Sequence, residues 1–316
     1  MRIGTRRSAL ALAQAKLISE LLGGAEIVPM LASGDADASS PAPLTDKSRW
    51  VAELEDALGA GEIDLAVHSA KDVPGELAVG LELLGSPARA PAEDVLCGTP
   101  ALEQLRAGAR VGTSSIRRLA QLRAAREDLE VVAIRGNVDT RLRKLGEAGE
   151  DLDAIVLAHA GLIRLGRESE VGGVLAGELF VPAPGQGTLA LEGRAGDTPT
   201  REAVAAITDK DAFSCLRAER ALAQALNASC NTPLGAYATP TGDGGLLLRA
   251  WIGLPDGSEW VSDELAETGI RAEGACLPAS VGGFYDPEVL GQRVAERLSA
   301  AGGEQLLRRA EEMASA

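Results

Sequence analysis

Histidine and cysteine are scarce in this chain of 316 residues, which has two histidines, His68 and His159, and four cysteines, Cys97, Cys215, Cys230 and Cys276. No two cysteines have C-x-x-C spacing, so neither a zinc site nor a secreted disulfide framework is supported, and reduced thiols in a cytosol are the simplest reading. Apolar runs fall short of the roughly 18 residues that a membrane-spanning helix requires. No G-x-x-x-x-G-K-[ST] occurs, and "GQGTLA" at 185–190 lacks the third glycine of a dinucleotide fingerprint, which leaves nucleotide binding unsupported. A net charge of -15 argues against a nucleic acid or an anionic membrane as partner, because both rely on an accessible positive field.

What remains is a globular composition, 46% apolar and 24% charged, in a chain long enough for two or three domains of about 100 residues each. The opening "MRIGTRRSALALAQAKL" imitates a twin-arginine export signal, but its apolar stretch breaks at Gln14 and Lys16. An amphipathic helix is the better account: Ser8 is placed to cap it, Leu10, Ala13, Leu17 and Leu21 follow at helical spacing, and Gly23 and Gly24 end it.

From Ile3 to about Val181, β-rich runs alternate with helical patterns, as in "IDLAVHSAKDVP" and "LEVVAIRGNVDTRLRKL", which predicts α/β units around mainly parallel sheets. "GSPARAPAED" at 85–94 reads as a linker, and "VPAPGQG" at 181–187 as a return of the chain to the first unit. A smaller α+β domain is expected from about residue 208. It begins with a helix whose Cys215, Ala218, Leu222 and Ala225 share a face, and it holds two strands around Pro255-Asp256-Gly257 and a capped helix at "DPEVLGQRVAERLSAAG". Cys215 and Cys97 read as core thiols, and His68 and His159 as structural.

Ligands of open α/β sheets gather beyond the carboxyl ends of the strands, and here those positions are unusually basic. They hold Arg6 and Arg7, Lys71, Arg117 and Arg118, Arg135, Arg141 and Arg164. "GTSS" before Ile116 adds hydroxyls and free N–H groups at a helix start, where an anion is favoured. Each arginine alone is open to a second reading as a solvated face or local ion pair. Together they point to a polyanionic small molecule. Asp72 has two readings as well, as the ion-pair partner of Lys71 or as a carboxylate that steadies developing positive charge and trades a proton. Cys230 lies among turn-formers in "ALNASCNTPLGAY", where a buried structural thiol is out of place. Composition alone also admits a Cys-His hydrolase or a non-catalytic anion-binding protein.

Eight collinear stretches resemble the porphobilinogen deaminase family: "RIGTRRSALALAQA", "ELEDAL", "DLAVHSAKDVP", "VGTSSIRR", "IRGNVDTRL", "LAHAGLIRLG", "VPAPGQGTLALE" and "AERALAQALNASCNTPLGAYA". The resemblance implies a cytoplasmic, monomeric transferase of tetrapyrrole biosynthesis that joins porphobilinogen units head to tail with loss of ammonia. It implies a dipyrromethane cofactor held through a thioether on Cys230, and Asp72 as the catalytic group. Cofactor contacts then fall on Lys71, Asp72, Thr113, Ser115, Arg117, Arg118 and Arg135, and substrate contacts on Arg6, Ser8, Gln14, Arg141 and Arg164. A mobile active-site loop is expected to hold Lys47 and Trp50; "DKSRW" lacks the glycines of the family pattern there, and Ser229 replaces the glycine that often precedes the cofactor cysteine. The implied fold has two domains like type II periplasmic binding proteins with a double crossover, at 1–87 plus 182–206 and 92–181, and a third small α+β domain at 208–316.

Overall fold

Apolar runs that end in small or charged residues become strands, and most of the helices that follow start on a capping side chain, Ser8, Ser115, Asn137, Asp197 or Asp286. The computed structural model describes residues 1–31, 51–147, 149, 151–228, 232–268 and 286–315. In chain order the first stretch forms β1 (Arg2–Arg6), α1 (Ala9–Leu21), β2 (Glu26–Met30), α2 (Ala52–Gly59), β3 (Leu65–Ser69) and β4 (Leu81–Gly85). The next forms β5 (Asp94–Cys97), β6 (Arg110–Gly112), α3 (Ile116–Ala125), β7 (Glu130–Val132), α4 (Val138–Leu145), β8 (Ala154–Ala158), α5 (His159–Arg164) and β9 (Gly173–Leu175). After β10 (Leu189–Arg194) and α6 (Thr198–Ile207) come α7 (Lys210–Ala225), β11 (Leu234–Pro240), β12 (Leu246–Gly253), β13 (Trp260–Glu267), α8 (Pro287–Ala300) and α9 (Gly303–Ser315).

The strands make two five-stranded sheets of matching order, β2-β1-β3-β10-β4 and β7-β6-β8-β5-β9, with a three-stranded antiparallel sheet β11-β12-β13. In each large sheet four strands run one way. The fifth, β10 in the first sheet and β5 in the second, runs against its neighbours. Each reversed strand enters directly from the other sheet, so the mainly parallel expectation holds and the crossings account for the exceptions. The second crossing, "VPAPGQG", does return the chain to the first sheet, where β10 pairs with β3 and β4. This is the arrangement of the periplasmic-binding-protein type II halves expected from the sequence.

Helix α1 starts as predicted, with the Ser8 hydroxyl accepting from the Ala11 N–H at 3.3 Å, and stops before Gly23 and Gly24, both at positive φ. Its buried face corrects the sequence reading. Ala11, Gln14, Ala15 and Ile18 face inward, whereas Leu17 and Leu21 are exposed. The stripe is displaced by one residue because small alanines let the helix settle close over β1 and β3, and that contact outweighs leucine spacing. Leu10 turns toward Gly161 of the second unit.

Helix α7 buries Cys215, Ala218 and Leu222 against the three-stranded sheet and α8, but Ala225 is exposed and Leu226 continues the face. Cys215 and Cys97 are core thiols, and burial pushes both up, to about 12 and about 11. The strands on either side of Pro255-Asp256-Gly257 and the helix capped by Asp286 form as predicted. Among the described residues no helix is long and apolar enough to cross a membrane.

Candidate active site

Strand β3 ends at Ser69 and passes into a single 3-10 turn, Ala70–Asp72, which presents Lys71 and Asp72 at the carboxyl edge of the first sheet. The second crossing holds that turn. Ala70 N–H donates to the Thr188 carbonyl at 3.0 Å, and the Lys71 Nζ donates to Gln186 Oε1 at 3.3 Å. Gln186 stands between Gly185 (φ +74) and Gly187 (φ +86). A Cβ on Gly187 would lie 2.3 Å from the Ala90 carbonyl oxygen of the first crossing, so this position requires glycine both for its φ and for close approach.

At the facing edge of the second sheet, Ser115 caps α3 by accepting from the Arg118 N–H at 3.4 Å. The cap places Arg117 and Arg118 one turn into the helix, both buried, around the buried carboxylate of Asp94 at the start of β5. Arg117 Nη2 is 2.8 Å from Asp94 Oδ2, and Arg118 Nη2 is 2.7 Å from Oδ1. Gln186 donates to the same Oδ1 at 2.8 Å and so joins Asp94 to Lys71. Burial alone would raise the Asp94 carboxyl, yet the two guanidiniums and the Gln186 amide hold it well below the usual carboxylate range.

Between these edges lies a cavity of about 340 Å³ lined by Lys71, Asp72, Arg117, Arg118, Arg141 and Arg220, among others. The third unit closes it with Ala228 and Thr232, the described residues on either side of the Ser229–Asn231 segment. A smaller adjoining cavity of about 100 Å³ shares Lys71, Arg118 and Arg141 and adds Gln14, Ser69 and Arg164. Size does not single out this place. A depression of about 640 Å³ beside Gly75 and Arg217 and one of about 450 Å³ beside Trp260 and Arg309 are larger. Of these four cavities among the described residues, the cleft between the sheets holds five cations, Lys71, Arg117, Arg118, Arg141 and Arg220, with one carboxylate, Asp72.

Arg117 and Arg118 share the one Asp94 carboxylate, whereas Lys71, Arg141, Arg164 and Arg220 hydrogen-bond only neutral acceptors among the described residues. Burial, with the neighbouring Arg118 charge, pushes the Lys71 ammonium down to about 8. Burial likewise lowers Arg141 and Arg164 to about 10 and lowers Arg117 and Arg220. Arg164 spends one donor on the Gly187 carbonyl at 2.6 Å, while its buried Nε has no hydrogen-bond partner among the described residues. Desolvated guanidiniums bonded to neutral carbonyls are stabilised by any ligand that brings carboxylates, so the cleft is built for a polyanion.

Of the residues expected from sequence, Lys71, Asp72, Ser115, Arg117, Arg118 and Arg141 meet in the larger cavity, and Gln14 and Arg164 in the smaller. Arg6, Ser8, Thr113 and Arg135 line neither. The Ser8 hydroxyl is used as a helix cap, Thr113 is buried with its hydroxyl accepting from the Ser115 N–H, and Arg135 is exposed. Lys47, Trp50 and Cys230 lie outside the described residues. Sequence reasoning missed Asp94, Gln186 and Arg220. Gln186 was signalled by the glycines flanking it, but Asp94 opens a strand and Arg220 sits within a helix, where no strand-end rule looks. His68 takes the structural role expected of it, buried in β3 with Nε2 2.9 Å from the Glu192 carboxylate.

Comparison with known proteins decides the family. The family model for "Porphobilinogen deaminase, dipyromethane cofactor binding domain" matches residues 1–202, and that for "Porphobilinogen deaminase, C-terminal domain" matches 213–300. A porphobilinogen deaminase of Roseiflexus castenholzii is 42% identical, over 97% of this chain and 98% of its own length. The chain belongs to the porphobilinogen deaminase family. One from Trichlorobacter lovleyi is 41% identical over 97% of this chain and 95% of its own length. Among solved structures, a periplasmic substrate-binding protein from Coxiella burnetii aligns at TM-score 0.40 and 15% identity, covering 68% of this chain and 94% of its own. The activity is accordingly that of a porphobilinogen deaminase, or hydroxymethylbilane synthase: a transferase of porphyrin biosynthesis that acts on porphobilinogen and uses a dipyrromethane cofactor.

Proposed function

We propose that Asp72 is the catalytic carboxylate of this transferase and that Cys230 holds the dipyrromethane by a thioether, inside the cation-lined cleft. The observation that carries the assignment is the set of desolvated cations converging on one carboxylate in a cavity bounded by Ala228 and Thr232. The residues fit the group: its acetate and propionate arms supply carboxylates to Lys71 and Arg141, which hydrogen-bond only neutral acceptors among the described residues, and add to the single Asp94 carboxylate that Arg117 and Arg118 share. Ser115, Thr113 and Arg135 belong to the same edge of the second sheet, and Arg6, Ser8, Gln14 and Arg164 are assigned with Arg141 to the incoming porphobilinogen. Lys47 and Trp50 are assigned to the active-site loop.

When bound, the dipyrromethane supplies the electron-rich pyrrole carbon from which the chain grows. Asp72 faces the cation left when the C–N bond of porphobilinogen's protonated aminomethyl group breaks and the nitrogen leaves with the electron pair as ammonia. The same carboxylate accepts the proton displaced from the ring carbon as the new C–C bond forms. Lys71 and the arginines keep the accumulating acid side chains in place and shield their mutual repulsion. A thiolate suits the anchor because it is a soft nucleophile and its thioether resists hydrolysis.

The chain is read as three domains, 1–87 with 182–206, 92–181 and 208–316, in a cytoplasmic monomer without nucleic-acid or membrane partners. Peptide mass analysis of active protein tests the site: the Cys230 peptide is expected to carry a dipyrrole adduct, and active material with an unmodified Cys230 peptide rejects the assignment.

A further inference from the structure

Helix α7 reaches out of the third unit to the turn that directly follows Asp72. Arg220 Nη2 donates to the Pro74 carbonyl at 2.8 Å and to the Gly75 carbonyl at 2.9 Å, and its Nη1 lies 3.5 Å from the Val73 carbonyl. One helical turn on, the Gln224 amide donates to the same Gly75 carbonyl. Arg220 and Gln224 are four residues apart and therefore share a face. Three consecutive carbonyls outside any strand need donors, and a planar guanidinium with several N–H groups serves all three where an ammonium cannot. Every hydrogen bond of Arg220 among the described residues ends on a carbonyl, although the side chain also lines the cleft.

The same helix is tied to the crossings. Glu219, fully buried, accepts from Gly185 N–H at 2.6 Å and from Arg89 Nη1 at 2.6 Å, one partner on each crossing segment. Helix α7 ends at Ala225, and Ala228 already lines the cavity, two residues before Cys230. One helix thus grips the turn behind Asp72 and is anchored to both crossings.

We propose that Arg220 and Gln224 are positioning residues that hold the turn after Asp72 against helix α7, so that each new terminal ring meets the carboxylate at the same place. This rests on the site assignment made above. Loosening that hold lets the carboxylate shift relative to the reacting ring.

The test uses full-length protein carrying its primer. Arg220→Lys keeps the positive charge and removes the fork; Gln224→Ala removes one donor from an exposed position. Misplacement by about an ångström costs up to about a hundredfold in rate, so kcat is expected to fall about tenfold or more in Arg220→Lys and about threefold in Gln224→Ala, with KM within about twofold. Intact mass spectra at limiting porphobilinogen are expected to show partly elongated adducts persisting in both variants. Normal kcat with a normal adduct ladder, even alongside a lowered melting temperature, overturns the proposal and reduces these contacts to packing. Unprimed but active parent protein would instead reject the Cys230 assignment.

Discussion

The two large sheets share one strand order but treat charge differently at the same places. Ser8 and Ser115 cap the corresponding helices at the same spacing, so Leu10 and Ala11 in the first half stand where Arg117 and Arg118 stand in the second. The reversed strands correspond too. Leu189 lies opposite Ser69, the last residue of β3, and Asp94 opposite Ala158, the last residue of β8. The first half therefore has apolar residues at the positions where the second has a buried carboxylate between two guanidiniums. Three residues beyond the strand the bias is inverted, with Asp72 in the first half and Gly161 in the second. One topology supplies two edges, and the cleft divides between them, the carboxylate proposed as catalytic from one half and most of the cations from the other.

The sharpest way to break this division is to remove the carboxylate. Asp72→Asn is expected to lower kcat by about 10²–10⁴-fold, the range for a lost acid–base group, with melting unchanged and the Cys230 adduct retained. A variant with normal turnover would move the chemistry to another group. On the second half, Asp94→Asn leaves two buried guanidiniums without their anion and is expected to cost about 3–5 kcal/mol in urea unfolding. Installing the first half's residues, Asp94→Leu with Arg117→Leu and Arg118→Ala, is expected to melt above that single variant while failing to retain a dipyrrole adduct. A triple variant no more stable than Asp94→Asn contradicts the correspondence.

The halves also meet at their crossings, where Gly187→Ala is expected to cost about 1–3 kcal/mol through φ strain, with further loss from contact with Ala90. Gly196→Ala, at φ +84 with open space around it, provides the strain-only control. Equal losses in thermal melts would show that the contact between crossings adds nothing. The smallest effect is on pH. Lys71 titrates near pH 8 in the folded chain and near 10.5 when exposed, so between these values the unfolded chain binds more protons and ligand-free stability rises with pH. Relative to Lys71→Met, the parent should gain stability between about pH 8 and 10, while its KM for porphobilinogen rises as the ammonium is lost. A flat difference in stability across that window contradicts the buried-ammonium reading.

Local chemistry was readable wherever it is local. The caps at Ser8, Ser115 and Asp286, the strand before Lys71, and the return of the chain at "VPAPGQG" follow from short-range preferences and period, whereas Arg164, expected just past a strand, is the last residue of α5. The α1 face was misread because the sheet beneath selects Ala11, Ala15 and Ile18 over the neighbouring leucines. Asp94, Gln186 and Arg220 escaped notice for a related reason. Their partners are 24, 92 and about 146 residues away in the chain, and no window spans such pairs.

By itself the sequence determined which residues are chemically suited to the work: a thiol in a turn, a carboxylate beside a lysine, and arginines at strand ends, all in a chain otherwise acidic. Only the tertiary structure decided which cations are desolvated, which are neutralised by Asp94, and which carbonyls α7 grips. Burial and pairing are properties of the space between elements, set when two sheets and a third unit close around a cleft, and a linear order of residues carries no measure of that space.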